Sequence, residues 1–126
     1  MPSFRYCLNT STIREKNIGI EAEVDVAADA GYSGIEPWIR TLRAYMKTGG
    51  KLSDLKKRID DRGLQVESAI GFANWIVDDP AKRSEALEDA KSDMDILAQL
   101  GGSRIAAPPA GATKGAVLDL EIVAER

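Results

Sequence analysis

No histidine occurs anywhere in the 126 residues. That removes the commonest general base and the commonest metal ligand, together with every Ser–His and Cys–His nucleophile arrangement. The single cysteine, Cys7, cannot close an internal disulfide. It lies in an apolar, strand-like run, so it is expected to be a buried small hydrophobe in a reducing, cytoplasmic compartment. No run of about 18 apolar residues is present to span a membrane. The opening Met-Pro-Ser-Phe-Arg-Tyr lacks the charged-then-apolar plan of a secretory signal. A net charge of -3, with both signs interspersed, offers no basic stripe for nucleic acid. Neither G-x-G-x-x-G nor G-x-x-x-x-G-K-[ST] occurs, so the phosphate loop of an open dinucleotide-binding sheet is missing.

What is there has ordinary globular balance, 44% apolar and 29% charged, in a length that suits one domain over residues 1–126. Short apolar strands alternate with amphipathic helices. Strands are predicted at about residues 4–8, 32–36, 64–70 and 103–107. Between them, Ile20, Val24, Ala27 and Ala28 recur at helical spacing, as do Leu52, Leu55 and Ile59. A third helix opens at Pro80 and shows Leu87, Ala90, Met94, Leu97 and Leu100 on one face. Glycines Gly31, Gly63 and Gly101 stop the three helices. A fourth helical pattern begins with Leu118, Ile122 and Val123. The stretch Ile39 to Lys51 reads as a long connection able to fold over the sheet as a partial lid.

Strands and helices in strict alternation predict parallel strands joined by right-handed crossovers, an α/β fold. With no phosphate loop after strand one, a (β/α)8 barrel is favoured over a doubly wound sheet. A full barrel needs roughly 200 residues or more, so four units make the first four strands of one, a half-barrel. The expected strand order is 1-2-3-4.

In a barrel the active site gathers at the loops after the strands. Glu36 ends strand two, where Pro37 removes a ladder donor. It is the candidate catalytic carboxylate, accepting a substrate hydroxyl or moving a proton; otherwise it is a loop carboxylate paired locally. Trp38 and Trp75 are candidate walls of a sugar pocket or, alternatively, loop anchors. Asn9 is a hydroxyl-binding amide or a turn former, and Asn74 a further substrate-binding candidate. Glu36 and Trp38 are expected to line the mouth. Lys114 in a loose loop reads as solvated, as does the charged run Asp54 to Arg62. One of Asp78 and Asp79 is an N-cap rather than a metal ligand. No metal site is assigned to this chain. By parity, Phe4, Tyr6 and Leu8 should meet the helices, with Leu64, Val66 and Ile70. Arg5, Gln65, Glu67 and Ala69 should point inward, where Arg5 meets Glu67 or Gln65.

The stretch Ala27-Ala28-Asp29-Ala30-Gly31-Tyr32-Ser33-Gly34-Ile35-Glu36-Pro37-Trp38 resembles a passage of the sugar phosphate isomerase/epimerase family. These are the xylose isomerase-like TIM barrels, a group that includes endonuclease IV-like enzymes. Leu97 to Gly102, followed by Ile105 to Pro109, is similar to that family's third helix and fourth strand. The resemblance implies an enzyme that isomerises or epimerises a sugar or sugar phosphate by proton transfer next to a carbonyl. It also implies a divalent metal (Mn, Mg or Zn) with ligands outside this chain. Homo-oligomerisation is compatible with it. The alternatives are a non-catalytic half-barrel that works by assembly, and a barrel lyase or hydrolase such as a dehydratase or an endonuclease IV-like enzyme.

Overall fold

A computed structural model describes residues 4–110, 112 and 119–126. Lys114 and Leu118 lie outside the described residues. The strands are β1 (Cys7–Asn9), β2 (Gly34–Glu36), β3 (Gln65–Val66), β4 (Ala69–Ile70) and β5 (Ile105–Ala106). All pairings are parallel. β1 pairs with β2 through Leu8↔Ile35 and Asn9↔Glu36, β2 with β3 through Ile35↔Val66, and β4 with β5 through Ala69↔Ile105. A single bridge, Trp38↔Ile70, ties the end of strand two to β4. The predicted order is therefore observed, with strand three split into β3 and β4.

The strands are shorter than the apolar pattern suggested, and this corrects two assignments. Phe4 and Tyr6 are 81% and 66% exposed, and only Leu8 of that set reaches the core. Ladder pairing starts at Cys7, and before it only the Tyr6 carbonyl, which accepts from the amides of Ser33 and Gly34, ties the chain to strand two. Cys7 is exposed rather than buried. It alternates with Leu8, so it faces away from the helix layer, on the side where the described residues supply no cover.

Helix α1 (Ile20–Asp29) buries Ile20, Val24 and Ala27 and stops as predicted. Gly31 has φ +81°, and the amides of Gly31 and Tyr32 bond back to the carbonyls of Ala28 and Ala27. Helix α3 (Leu52–Asp61) buries Leu52, Leu55 and Ile59. Its charged face is solvated at Lys56–Asp60 and Lys57–Asp61, while Arg58 and Arg62 cross to Asp25 on α1. The Arg58 hydrogen bond, helped by the charges of Arg58 and Arg62, holds the Asp25 carboxyl below its ordinary range against the opposing effect of burial.

Between β2 and α3 lies α2 (Ile39–Lys47), where a lid-like connection was expected. Ile39 and Leu42 are its buried residues, three apart, and they anchor the helix to the core. Pro37 and the short turn-like end at Gly49-Gly50 disguise so brief an element.

Helix α4 (Pro80–Gln99) starts on Asp79, whose side chain accepts from the amides of Ala81 and Lys82. Its buried face is Ala86, Asp93, Ile96 and Leu97, followed by Leu100. Leu87 and Met94, predicted to be core, are exposed. The helix is turned by about one residue because Asp93 points inward to receive Arg43 of α2. The last element is α5 (Leu120–Glu125), capped by Asp119. Among the described residues no helix is long and apolar enough to cross a membrane.

Candidate functional site

The break in strand three decides which side chains face away from the helices. Val66 and Ala69 both belong to the core although they are three positions apart. Strict alternation would put residues an odd number apart on opposite faces, so the chain slips one position at Glu67–Ser68, as at a bulge. Both intervening side chains consequently lie on the open face. A methyl placed on Gly34 would come 2.8 Å from Cγ of Glu67, and the Ser68 hydroxyl reaches Glu36. This corrects the expectation for Ala69, which is core, and for Ile70, which lines a cleft beside Trp38 and Phe72. Arg5 does meet Gln65 on the open face, Nη2 to Oε1 at 2.9 Å, while Glu67 accepts from Arg104 at 3.4 Å.

Glu36 is the centre of this face. Its Oε2 accepts from Nδ2 of Asn9 at 2.6 Å, and its Oε1 accepts from the hydroxyl of Ser68. Asn9 is itself oriented, because its Oδ1 accepts from the Ser11 amide at 2.9 Å, opening the 3-10 helix Thr10–Lys16. Asn9 is thus turn former and site residue at once. Donors from β1 and from the break between β3 and β4 converge on the carboxylate at the end of β2. Each carboxylate oxygen keeps a further lone-pair site for a substrate hydroxyl or a proton. Cys7 senses the same cluster. Burial chiefly, then the charges of Glu36 and Glu67, push its thiol up from the ordinary value.

Trp38 sits at the C-terminal end of strand two. Its ring is tilted 51° to Phe72 at 5.2 Å between centroids, and the guanidiniums of Arg14 and Arg40 lie 5.5 and 5.4 Å from its centre. Its indole Nε1 is buried with no partner among the described residues. With Ile70, Phe72, Arg43 and Asp93, Trp38 lines a cleft of about 700 Å³; Glu36 is not part of that lining. Trp75 donates its indole N–H to the carbonyls of Ala107 and Pro108 at 3.1 and 3.2 Å, tying the loop after β4 to the end of β5. Asn74 is exposed, and its carbonyl accepts from Val77. Ser68, Phe72, Arg14 and Arg40 were not singled out in the sequence. Ser68 carried no signal there, since strict alternation assigns it to the wrong face.

The divalent cation implied by the sequence resemblance finds no ligand set here. Among the described residues no three Cys, Asp or Glu side chains form a group that could hold a metal ion.

Several solved structures share the fold. The IolI protein, solved with a bound zinc atom, superposes with a TM-score of 0.79 and 21% identity, over 94% of this chain and 42% of its own. D-psicose 3-epimerase, solved in the presence of D-fructose, gives 0.73 and 15%, over 98% of this chain and 44% of its own. The probable 3-DHS dehydratase AsbF of Bacillus anthracis gives 0.69 and 16%, over 81% and 37%. At such identities the likeness speaks for the fold, and the chain spans less than half the length of each. The model of the xylose isomerase-like TIM barrel matches residues 24–125, and the chain belongs to that family.

Proposed function

We propose that this chain builds the first half of the substrate mouth of a sugar isomerase or epimerase. The observation that carries the reading is the fixed carboxylate of Glu36, gripped by Asn9 from β1 and by Ser68 from the kink between β3 and β4. A carboxylate so held loses little freedom on binding substrate, which is what positioning a proton acceptor requires. Its role is to accept a substrate hydroxyl, or to carry a proton beside the carbonyl, while Asn9 and Ser68 keep it aimed. Trp38 and Phe72 supply apolar faces for the C–H side of a sugar ring. D-psicose 3-epimerase is a structural relative by fold. A divalent cation used by the complete barrel takes its ligands from outside the described residues.

The test is hydrogen exchange at carbon. Ketohexoses and their phosphates are incubated in D2O with the enzyme, and NMR follows deuterium entry beside the carbonyl. Deuterium entry with formation of an isomer is expected, and Glu36→Gln should slow it at least a hundredfold. Unchanged exchange in Glu36→Gln removes the carboxylate from the reaction. Loss of water from the substrate, without an isomer, would make the protein a lyase, the class named for one structural relative.

A further inference from the structure

Nine arginines occur in the chain, all among the described residues. Arg43, Arg58, Arg62, Arg104 and Arg126 pair with carboxylates. Arg5 bonds Gln65, and Arg83 bonds backbone carbonyls. Arg14 and Arg40 differ. Their guanidiniums have no ion pair or hydrogen bond among the described residues, yet they come from separate elements to one indole, that of Trp38. A cation over a tryptophan face gains about 0.5–1 kcal/mol at an exposed site, and its N–H donors remain available. Two like charges on one ring repel unless an anion joins them.

Both arginines also line a cleft of about 470 Å³ with Asn17, Thr41 and Glu23. Glu23 is the acid in that lining, while Arg40 also lines the Trp38 cleft, where Asp93 is taken by Arg43 and Asp89 makes no ion pair with Arg40. Glu23 is only 4% exposed, and its Oε2 has no partner among the described residues. No ion pair joins it to either guanidinium among the described residues, and burial, opposed by the Thr10 hydroxyl, pushes its carboxyl up from the ordinary value. The positive charge at the rim is therefore left for something from outside.

We infer that Arg14 and Arg40 bind the oxyanion of the substrate, so that the ligand of this mouth is a phosphorylated sugar rather than a neutral one. Two guanidinium forks suit a tetrahedral dianion better than a planar monoanion. Trp38 follows Glu36 by two residues across Pro37, so the arginines at its ring stand beside the end of strand two that carries the carboxylate. A sugar at that strand end can present its hydroxyls to Glu36 and a phosphate to the arginines. The identity of the ligand as substrate rests on the function proposed above; the anion site is measured without turnover.

The experiment titrates inorganic phosphate into the full 15N-labelled chain and follows the two indole N–H signals, assigned with Trp38→Phe. A saturable shift of the Trp38 signal with little change at Trp75 is expected. Arg14→Gln and Arg40→Gln should each weaken binding about tenfold or more, and Lys47→Gln, an exposed cation elsewhere on α2, should not. Both arginines are exposed, so circular dichroism should show these variants folded. Hexose 6-phosphate should compete with phosphate, whereas free hexose and acetate should not. No saturation, or equal binding in the double Arg14→Gln/Arg40→Gln variant, overturns the site. Acetate as tight as phosphate overturns its assignment to a phosphate. Phosphate binding that survives while carbon exchange is absent would sink the isomerase reading and leave the anion site standing.

Discussion

Replacing Arg43 by glutamine tests what holds α2 against the barrel. Arg43 reaches Asp93 with two N–H groups, Nε at 3.0 Å and Nη2 at 2.6 Å, and Nη2 also lies 3.2 Å from the Ser92 hydroxyl. The Asp93 side chain is 8% exposed, that of Arg43 45%. A fully buried pair broken on one side costs about 3–5 kcal/mol, and an exposed pair about 0–1 kcal/mol. Here the acid is buried and the base half out, so Arg43→Gln should destabilise by about 2 kcal/mol. Asp93 cannot turn away cheaply, because Gly71 packs against it: a methyl at Gly71 would stand 3.0 Å from Oδ2. For a chain of this length that is a fall in Tm of roughly 8 °C. Urea unfolding of Arg43→Gln, Asp93→Asn and the double variant reads the coupling, expected at about 1–2 kcal/mol. If each single variant costs under about 0.5 kcal/mol and the two simply add, the pair does not hold α2.

Two titrations probe the open face and the core. Cys7 thiolate formation, read as the pH dependence of its alkylation rate, should occur at higher pH than in an unfolded peptide, because burial and the carboxylates of Glu36 and Glu67 oppose the charge. Glu36→Gln should move the Cys7 profile downward; an unmoved profile would mean the two side chains do not share a face. Glu23 has a folded-state carboxyl raised by burial, so its ionisation costs stability once the pH passes from below its unfolded value to above its folded one. Glu23→Gln should accordingly raise Tm more at pH 7 than at pH 4, and a gain equal at both pH values would refute the cause given.

What the sequence by itself determined is the local part of the molecule. Apolar spacing marked α1 and α3, Gly31 marked where α1 must turn into the left-handed region, and Pro80, with one of the two acids before it as N-cap, marked the start of α4. Alternation of strand and helix then implied parallel pairing in chain order, and Pro37 put Glu36 at a strand end. Each of these follows from a few neighbouring residues. Tertiary structure decided the rest, because it depends on partners distant in the chain. The slip at Glu67–Ser68 exists because one strand must pair back to β2 and forward to β5, and it turns Ala69 inward and hands Ser68 to Glu36. Arg43, fifty residues from Asp93, sets which face of α4 is buried, leaving Leu87 and Met94 outside. Trp38 became the meeting point of two arginines only when the turn after β1 and the first turn of α2 were folded side by side. Periodicity reports which residues share a face of one element; which elements meet, and therefore which charges remain unpaired, is a property of the packed chain.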